Sequence, residues 1–148
     1  MTKAFHQLLI DKRDRGKTAV TTQWGMYQFR RLSMGLQNSA QSFQKLVDSV
    51  LKDLPNVFCY LDDVLVWSDS LEEHEKLVDQ VFQRLNEYGL SLALPKCTFA
   101  AESVDFLGYK ISNAGITPLR NKLQAIQDFP IPTTQKQLLK FLGMLNFY

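Results

Sequence analysis

The chain has 148 residues, 45% of them hydrophobic and ten of them Phe, which gives room for one domain with a real core and excludes a disordered composition. No apolar run reaches the roughly 18 residues of a membrane span, and no charged-then-apolar leader of a secretion signal opens the chain. Net charge is only +2 but uneven: residues 1–31 hold seven Lys and Arg against two Asp, residues 62–105 hold ten acids against three bases, and residues 117–148 hold four bases against one Asp. A basic–acidic–basic order suits a phosphate backbone around a metal site; it equally suits one helix with a solvated acidic face carrying Glu72, Glu73, Glu75 and Asp79. Cys59 and Cys97 stand apart, without metal-type spacing, and read as reduced thiols of an intracellular protein.

In chain order, Phe5 to Ile10 is strand-like and Asp11 to Gly16 is a charged turn. Thr18 to Thr22 is β-branched-rich, Trp24-Gly25 punctuates it, and Tyr27-Gln28-Phe29 alternates again. From Ser42 the spacing turns helical, with Phe43, Leu46, Val47, Val50, Leu51 and Leu54 at three- and four-residue steps, until Pro55-Asn56. Val57 to Ser68 is apolar and aromatic on both sides of Asp62-Asp63, which predicts a β-hairpin with two carboxylates at its tip.

Ser70 with Glu73 is a capping-box pattern, and Val78, Val81, Phe82, Leu85 and Tyr88 make one helical stripe ended by Gly89. His74 falls on the polar side of that helix, as a surface histidine and not a ligand. Leu90 to Leu94 alternates like a half-buried strand. Val104 to Ile111 reads as a strand, Asn113-Ala114-Gly115 as a turn, and Thr117-Pro118 as a helix start. Leu119, Leu123, Ile126 and Phe129 form the stripe of that helix, ended by Pro130 and Pro132. Thr134 with Gln137 is a second capping box, followed by Leu138, Phe141, Leu142 and Leu145 on one face. There are no internal repeats.

The Asp62-Asp63 pair carries the chemistry. Adjacent anions repel unless something positive sits beside them, and hard divalent cations such as Mg²⁺ take one or two carboxylates plus substrate phosphates. An Asp-rich hairpin turn is the plain alternative. The context decides: Phe58-Cys59-Tyr60-Leu61-Asp62-Asp63-Val64-Leu65-Val66-Trp67-Ser68 resembles the Tyr-x-Asp-Asp box of reverse transcriptases, in the version found in gypsy-type LTR retrotransposons and their retroviral relatives. Four other blocks match in the same order. Thr2-Lys3-Ala4-Phe5-His6-Gln7 resembles the tail of the first block. Arg31 to Gln44 resembles the second, with Ser33-Met34 in place of the usual Pro-Phe and Ser39-Ala40 in place of Ala-Pro. Lys96-Cys97 resembles the fourth and Phe106-Leu107-Gly108 the fifth, and Leu142 to Tyr148 is similar to the start of the thumb.

The resemblance implies an α+β fold: a polymerase palm-type antiparallel sheet with packed helices, plus parts of fingers and thumb. It implies a partial reverse transcriptase domain over residues 1–148, a nucleotidyltransferase that adds deoxynucleotides to a primer on an RNA or DNA template. Asp62 and Asp63 would be metal ligands and catalytic residues, Asp63 either as a ligand or as a charge beside the site. Two Mg²⁺ ions, or Mn²⁺, would serve as cofactors. Lys96 would lie near the triphosphate as a proton donor, or else be a salt-bridging surface lysine. Phe5, Met34, Gly35 and Tyr60 would line the dNTP pocket, with Phe5 closing it against a ribose 2′-OH unless it is a plain core residue. Phe106, Leu107 and Gly108 would grip the primer 3′ end.

In the family's first block a metal-binding Asp stands five positions before the aromatic, which here falls one residue ahead of Met1. The expectation is a chain that starts just after that Asp, stops at the start of the thumb, and polymerises poorly or not at all by itself. The rest of a polyprotein (fingers, thumb and RNase H) is the expected partner, and the cytoplasm or a virus-like particle the expected location. A catalytically inactive relic or co-opted binding module of the same fold, and an unrelated α+β nucleic-acid-binding domain, are the competing readings.

Overall fold

The computed structural model describes Met1 and residues 3–147; Thr2 of the first block and Tyr148 at the end of the last lie outside the described residues. The chain forms two compact units, Met1–Cys97 and Thr98–Tyr148.

The first unit is built on helix α1, Ser39–Val50. Phe43, Val47 and Val50 recur at four- and three-residue steps, so they fall on one face, and all three are fully buried. Strands β3 (Val57–Tyr60) and β4 (Asp63–Val66) pair antiparallel with Tyr60 opposite Asp63. Strand β3 packs on α1, and β4 packs on helix α2, Leu71–Glu87. Leu77, Val81 and Leu85 of α2 are buried, the last two in the α1 core, where Leu90 and Ala4 also sit. The stripe expected on α2 therefore needs two corrections: Leu77 belongs to it, and Tyr88, 56% exposed, does not. The Ser70 hydroxyl caps α2 by accepting from the Glu73 amide at 3.3 Å. His74 bonds the Ser68 hydroxyl through Nδ1 at 3.0 Å, as a helix-end residue.

Two expected strands in this unit do not form. Ala4–Gln7 is a 3-10 turn, and the following residues meet residues 30–32 only through an isolated bridge of Leu9 with Arg31, flanked by amide bonds from Ile10 to Arg30 and from Leu32 to Leu8. Its apolar residues are committed instead to packing: Ala4 is buried, and the Phe5 ring meets Phe43 edge-on at 5.6 Å. The alternation at Leu90 to Leu94 likewise makes no ladder. The backbone of Ser91 is satisfied by the Gln7 carboxamide, which accepts from its amide at 2.6 Å and donates to its carbonyl at 3.1 Å. A 3-10 turn at Leu94–Lys96 follows, with Pro95 supplying no amide donor. The strand-like stretches on either side of Trp24 form a hairpin with shifted bounds: β1 is Val20–Thr22, with Thr18 in a 3-10 turn, and β2 is Gly25–Tyr27, so Gly25 belongs to a strand and Gln28 and Phe29 do not.

The second unit is a three-stranded antiparallel sheet, β5 (Ser103–Phe106), β6 (Tyr109–Ser112) and β7 (Gly115–Pro118), followed by α3 (Arg120–Gln127) and α4 (Gln135–Phe147). The single strand expected over Val104 to Ile111 is folded in two at Leu107-Gly108. Both residues have positive φ, 50° and 87°, as a two-residue hairpin of the primed type demands. Thr117-Pro118 closes β7 instead of opening α3, because Lys110 and Tyr109 pair across from them and leave Leu119 as the residue before the helix. The Thr134–Gln137 box forms in both directions: the Gln137 amide donates to the Thr134 hydroxyl, and the Thr134 amide to Gln137 Oε1, each at 3.3 Å. Phe129 stacks at 5.5 Å on Phe141, with the Lys140 ammonium 5.8 Å from its ring centre.

Phe43 fills the centre of the first unit with no exposed surface, so Phe43→Ala is expected to destabilise that unit by about 3–5 kcal/mol in urea unfolding. Ser70→Ala, which removes one cap acceptor, is expected to cost only about 0.5–2 kcal/mol in the same assay.

Candidate active site

The two carboxylates are presented by the shortest connection the ladder allows. With Tyr60 paired to Asp63, only Leu61 and Asp62 lie between the strands. Leu61 takes φ 52°, a left-handed backbone that costs a branched L-residue about 1–2 kcal/mol and is usually given to glycine in such turns. The Leu61 amide is bonded by Gln44, half-buried at the edge of the apolar face of α1. Its Oε1 accepts from the Leu61 amide at 2.7 Å, while its Nε2 donates to the Cys59 carbonyl at 2.9 Å and to Asp48 Oδ1 at 2.7 Å. Asp62 and Asp63 are both exposed on this tip. Met1 packs against the core beneath, and its nitrogen donates to the Asp62 carbonyl oxygen.

Cys59 lies behind the tip, its sulfur 3.3 Å from the Leu61 carbonyl. Burial pushes its thiol up to about 12, and the charges of Asp48, Asp63 and Asp62 push in the same direction. The thiol is therefore protonated at physiological pH and is no thiolate ligand or nucleophile. The ion pairs among the described residues join Arg13 to Asp11 and Lys17 to Asp14. No cationic side chain among them neutralises Asp62 or Asp63.

Of the other expected site residues, Phe5, Met34, Gly35, Tyr60 and Lys96 belong to the first unit and Phe106, Leu107 and Gly108 to the second. Tyr60 is half exposed and faces Asp63 across the ladder. Phe5 lies on Phe43, the neighbour of Gln44 in sequence. Met34 is 73% exposed, and Gly35 has φ 88° with nothing within 4 Å of where a Cβ would stand. Their loop is tied to the start of α1 by the buried Ser39, whose hydroxyl donates to the Ser33 carbonyl at 2.7 Å. The serine standing where the family usually has alanine thus anchors the loop. Lys96 ends the exposed 3-10 turn that follows the Gln7–Ser91 pair, and no ion pair joins it to either aspartate. Phe106, Leu107 and Gly108 form the β5–β6 hairpin turn of the second unit.

Sequence reading had no role for Gln44. The available signal was its place one residue from the apolar stripe of α1, a polar amide on the edge of a buried face.

Asp62 and Asp63 supply hard oxygen donors side by side. No group of three or more His, Cys, Asp or Glu suited to a metal occurs among the described residues. Two carboxylates fit a hard divalent cation that keeps waters or phosphates in its remaining positions. No described helix is long and apolar enough to cross a membrane.

Residues 1–111 match the family described as reverse transcriptase (RNA-dependent DNA polymerase). The chain is 38% identical over 150 residues to the retrovirus-related Pol polyprotein from transposon 297 of Drosophila melanogaster, covering 100% of this chain and 14% of that one. It is 32% identical, with the same coverage, to the Pol polyprotein from transposon gypsy of the same fly. Among solved structures, a foamy viral protease–reverse transcriptase in complex with double-stranded DNA superposes with a TM-score of 0.88 at 31% identity, over 99% of this chain and 26% of that one. A second, in complex with an RNA/DNA hybrid, gives 0.81 at 31% identity over 99% and 20%. The chain spans about one seventh of the transposon polyproteins it matches. With the Tyr-x-Asp-Asp hairpin at its centre and this agreement along its length, the chain belongs to the reverse transcriptase family.

Proposed function

We propose that the chain supplies the carboxylate hairpin and the surrounding palm of an RNA-directed DNA polymerase encoded by a retrotransposon polyprotein. The observation that carries this is the pair Asp62–Asp63, exposed on a two-residue turn whose Leu61 amide is bonded by Gln44 of α1. On this reading Asp62 and Asp63 hold Mg²⁺, with Mn²⁺ as a substitute. With such cations bound, Asp62 and Asp63 would hold the charge that favours a deprotonated primer 3′-OH and offsets the departing pyrophosphate.

Successive strand residues point to opposite faces, so Asp63 in β4 reaches the same site as Asp62 only because the turn intervenes.

The chain's other residues bind and orient. The exposed Met34 and the open Gly35 offer a nucleotide a flat approach, since no side chain at Gly35 stands in the way. On this reading Phe5, whose ring meets Phe43 edge-on, excludes a ribose 2′-OH. Lys96 supplies positive charge or a proton to the leaving phosphates. The Phe106-Leu107-Gly108 turn holds the primer end. The template and primer would be held mostly through phosphates and sugars, with the basic residues of the first 31 positions contributing. The solved relatives in complex with double-stranded DNA and with RNA/DNA hybrid support this class of partner, and the long polyproteins of the transposon relatives support a polyprotein setting.

The test uses Mn²⁺ titrated into the 148-residue chain and followed by electron paramagnetic resonance. Binding is expected in the wild type and is expected to disappear in Asp62→Asn. In a transposon 297 polymerase carrying residues 1–148 in place of its own matching segment, Asp62→Asn is expected to lower the primer-extension rate by about 10²-fold or more. Full extension by that variant would sink the reading. Affinity for a template–primer duplex is expected to fall log-linearly with added salt, the mark of phosphate contacts.

A further inference from the structure

We propose that Gln44 is the positioning residue of the carboxylate tip: its side-chain amide holds Leu61 in the left-handed backbone that brings Asp62 and Asp63 together. The inference deepens the preceding one and rests on the reading of those aspartates as cation ligands.

Three hydrogen bonds fix the amide. Its oxygen can take only the Leu61 N–H, and its nitrogen can serve only the Cys59 carbonyl and the Asp48 carboxylate. Rotating the amide by half a turn would set donor against donor and acceptor against acceptor, so the chemistry of the partners dictates the orientation. Asp48, one helical turn further along α1, is thus the residue that points the amide. The hold acts where the turn is least favourable, at the branched residue with φ 52°. Cys59 and Leu61 flank Tyr60, so one side chain grips the hairpin on both sides of the residue before the turn. The grip is rigid because the residue next to Gln44 is Phe43, which is fully buried. A displacement of the tip would have to stretch the Leu61 bond or lift α1 off its core.

Strain alone would push Leu61 back to a right-handed or extended backbone once the amide is gone, and Asp62 would swing with it. A left-handed non-glycine residue is worth about a five- to hundred-fold bias between the two backbone states. Glycine at 61 has no such preference, which makes it the rescuing substitution.

The experiment compares the wild-type chain, Gln44→Ala, Gln44→Ala with Leu61→Gly, and Asp62→Asn. The intraresidue amide-to-α-hydrogen NOE of residue 61 is strong only when φ is positive and needs no metal. It is expected to be strong in the wild type and in Asp62→Asn, and weak in Gln44→Ala. Mn²⁺ affinity is expected to fall at least about fivefold in Gln44→Ala and to return within about twofold of wild type in the double variant, with unchanged circular dichroism throughout. A strong NOE at Leu61 in Gln44→Ala, or a double variant that stays as weak as the single one, overturns the proposal. If the wild type binds no Mn²⁺ while the NOE weakens in Gln44→Ala, the cation reading fails and the hold on the turn stands.

Discussion

The face of α1 is the constraint on which the first unit depends. A helix that buries Phe43, Val47 and Val50 has no freedom left to rotate or slide, because each step of register would carry an apolar side chain into water. Gln44, next to Phe43 on that helix, inherits the same rigidity and passes it to a turn whose own sequence resists the required backbone. The fold therefore places two like charges close together by force of packing elsewhere, not by favourable contacts at the charges themselves. The strain lies at the tip, and the core sustains it.

Electrostatically the tip is left open. The described ion pairs lie in the basic front of the chain, and among the described residues no cationic side chain pairs with Asp62 or Asp63, although the Met1 nitrogen donates to the Asp62 carbonyl. The same negative potential appears in the raised thiol of Cys59, where burial and three carboxylates act in one direction. Added positive charge beside the tip would act on both in the opposite direction, as the Met1 nitrogen already does for Cys59.

Much of this was legible in the sequence, for definite reasons. The helices α1, α2 and α4 announce themselves by period and by Ser70 and Thr134 caps, and the carboxylate hairpin by apolar runs broken at Asp62-Asp63. Short apolar stretches misled. Phe5 to Ile10 and Leu90 to Leu94 have the composition of strands, yet a strand needs a partner, and here the backbone of Ser91 is claimed by a glutamine side chain 84 residues away. The Leu107-Gly108 turn was hidden inside what reads as a single strand, because Leu107 gives no local sign of its positive φ. Thr117-Pro118 satisfied the rule for a helix start and was overruled by pairing with β6. Leu77 and Tyr88 show the same limit within α2: the period locates a face only to within about one residue in either direction. Gln44 shows only as a polar amide at the edge of the apolar stripe, since nothing in a sequence tells which backbone amide a polar side chain will reach.

The Gln7–Ser91 pair also bears on the order in which the molecule assembles. Residues that far apart close a long loop, and the entropy of closure has to be met before the contact returns anything. The hairpin and the two helices around it are local by comparison and can form first. The segment carrying Ala4 and Phe5 then joins a nearly finished body, with Leu90 already seated in the core beside the place where the Gln7 amide docks. On this order Phe5 is set late, against a face of α1 that is already formed.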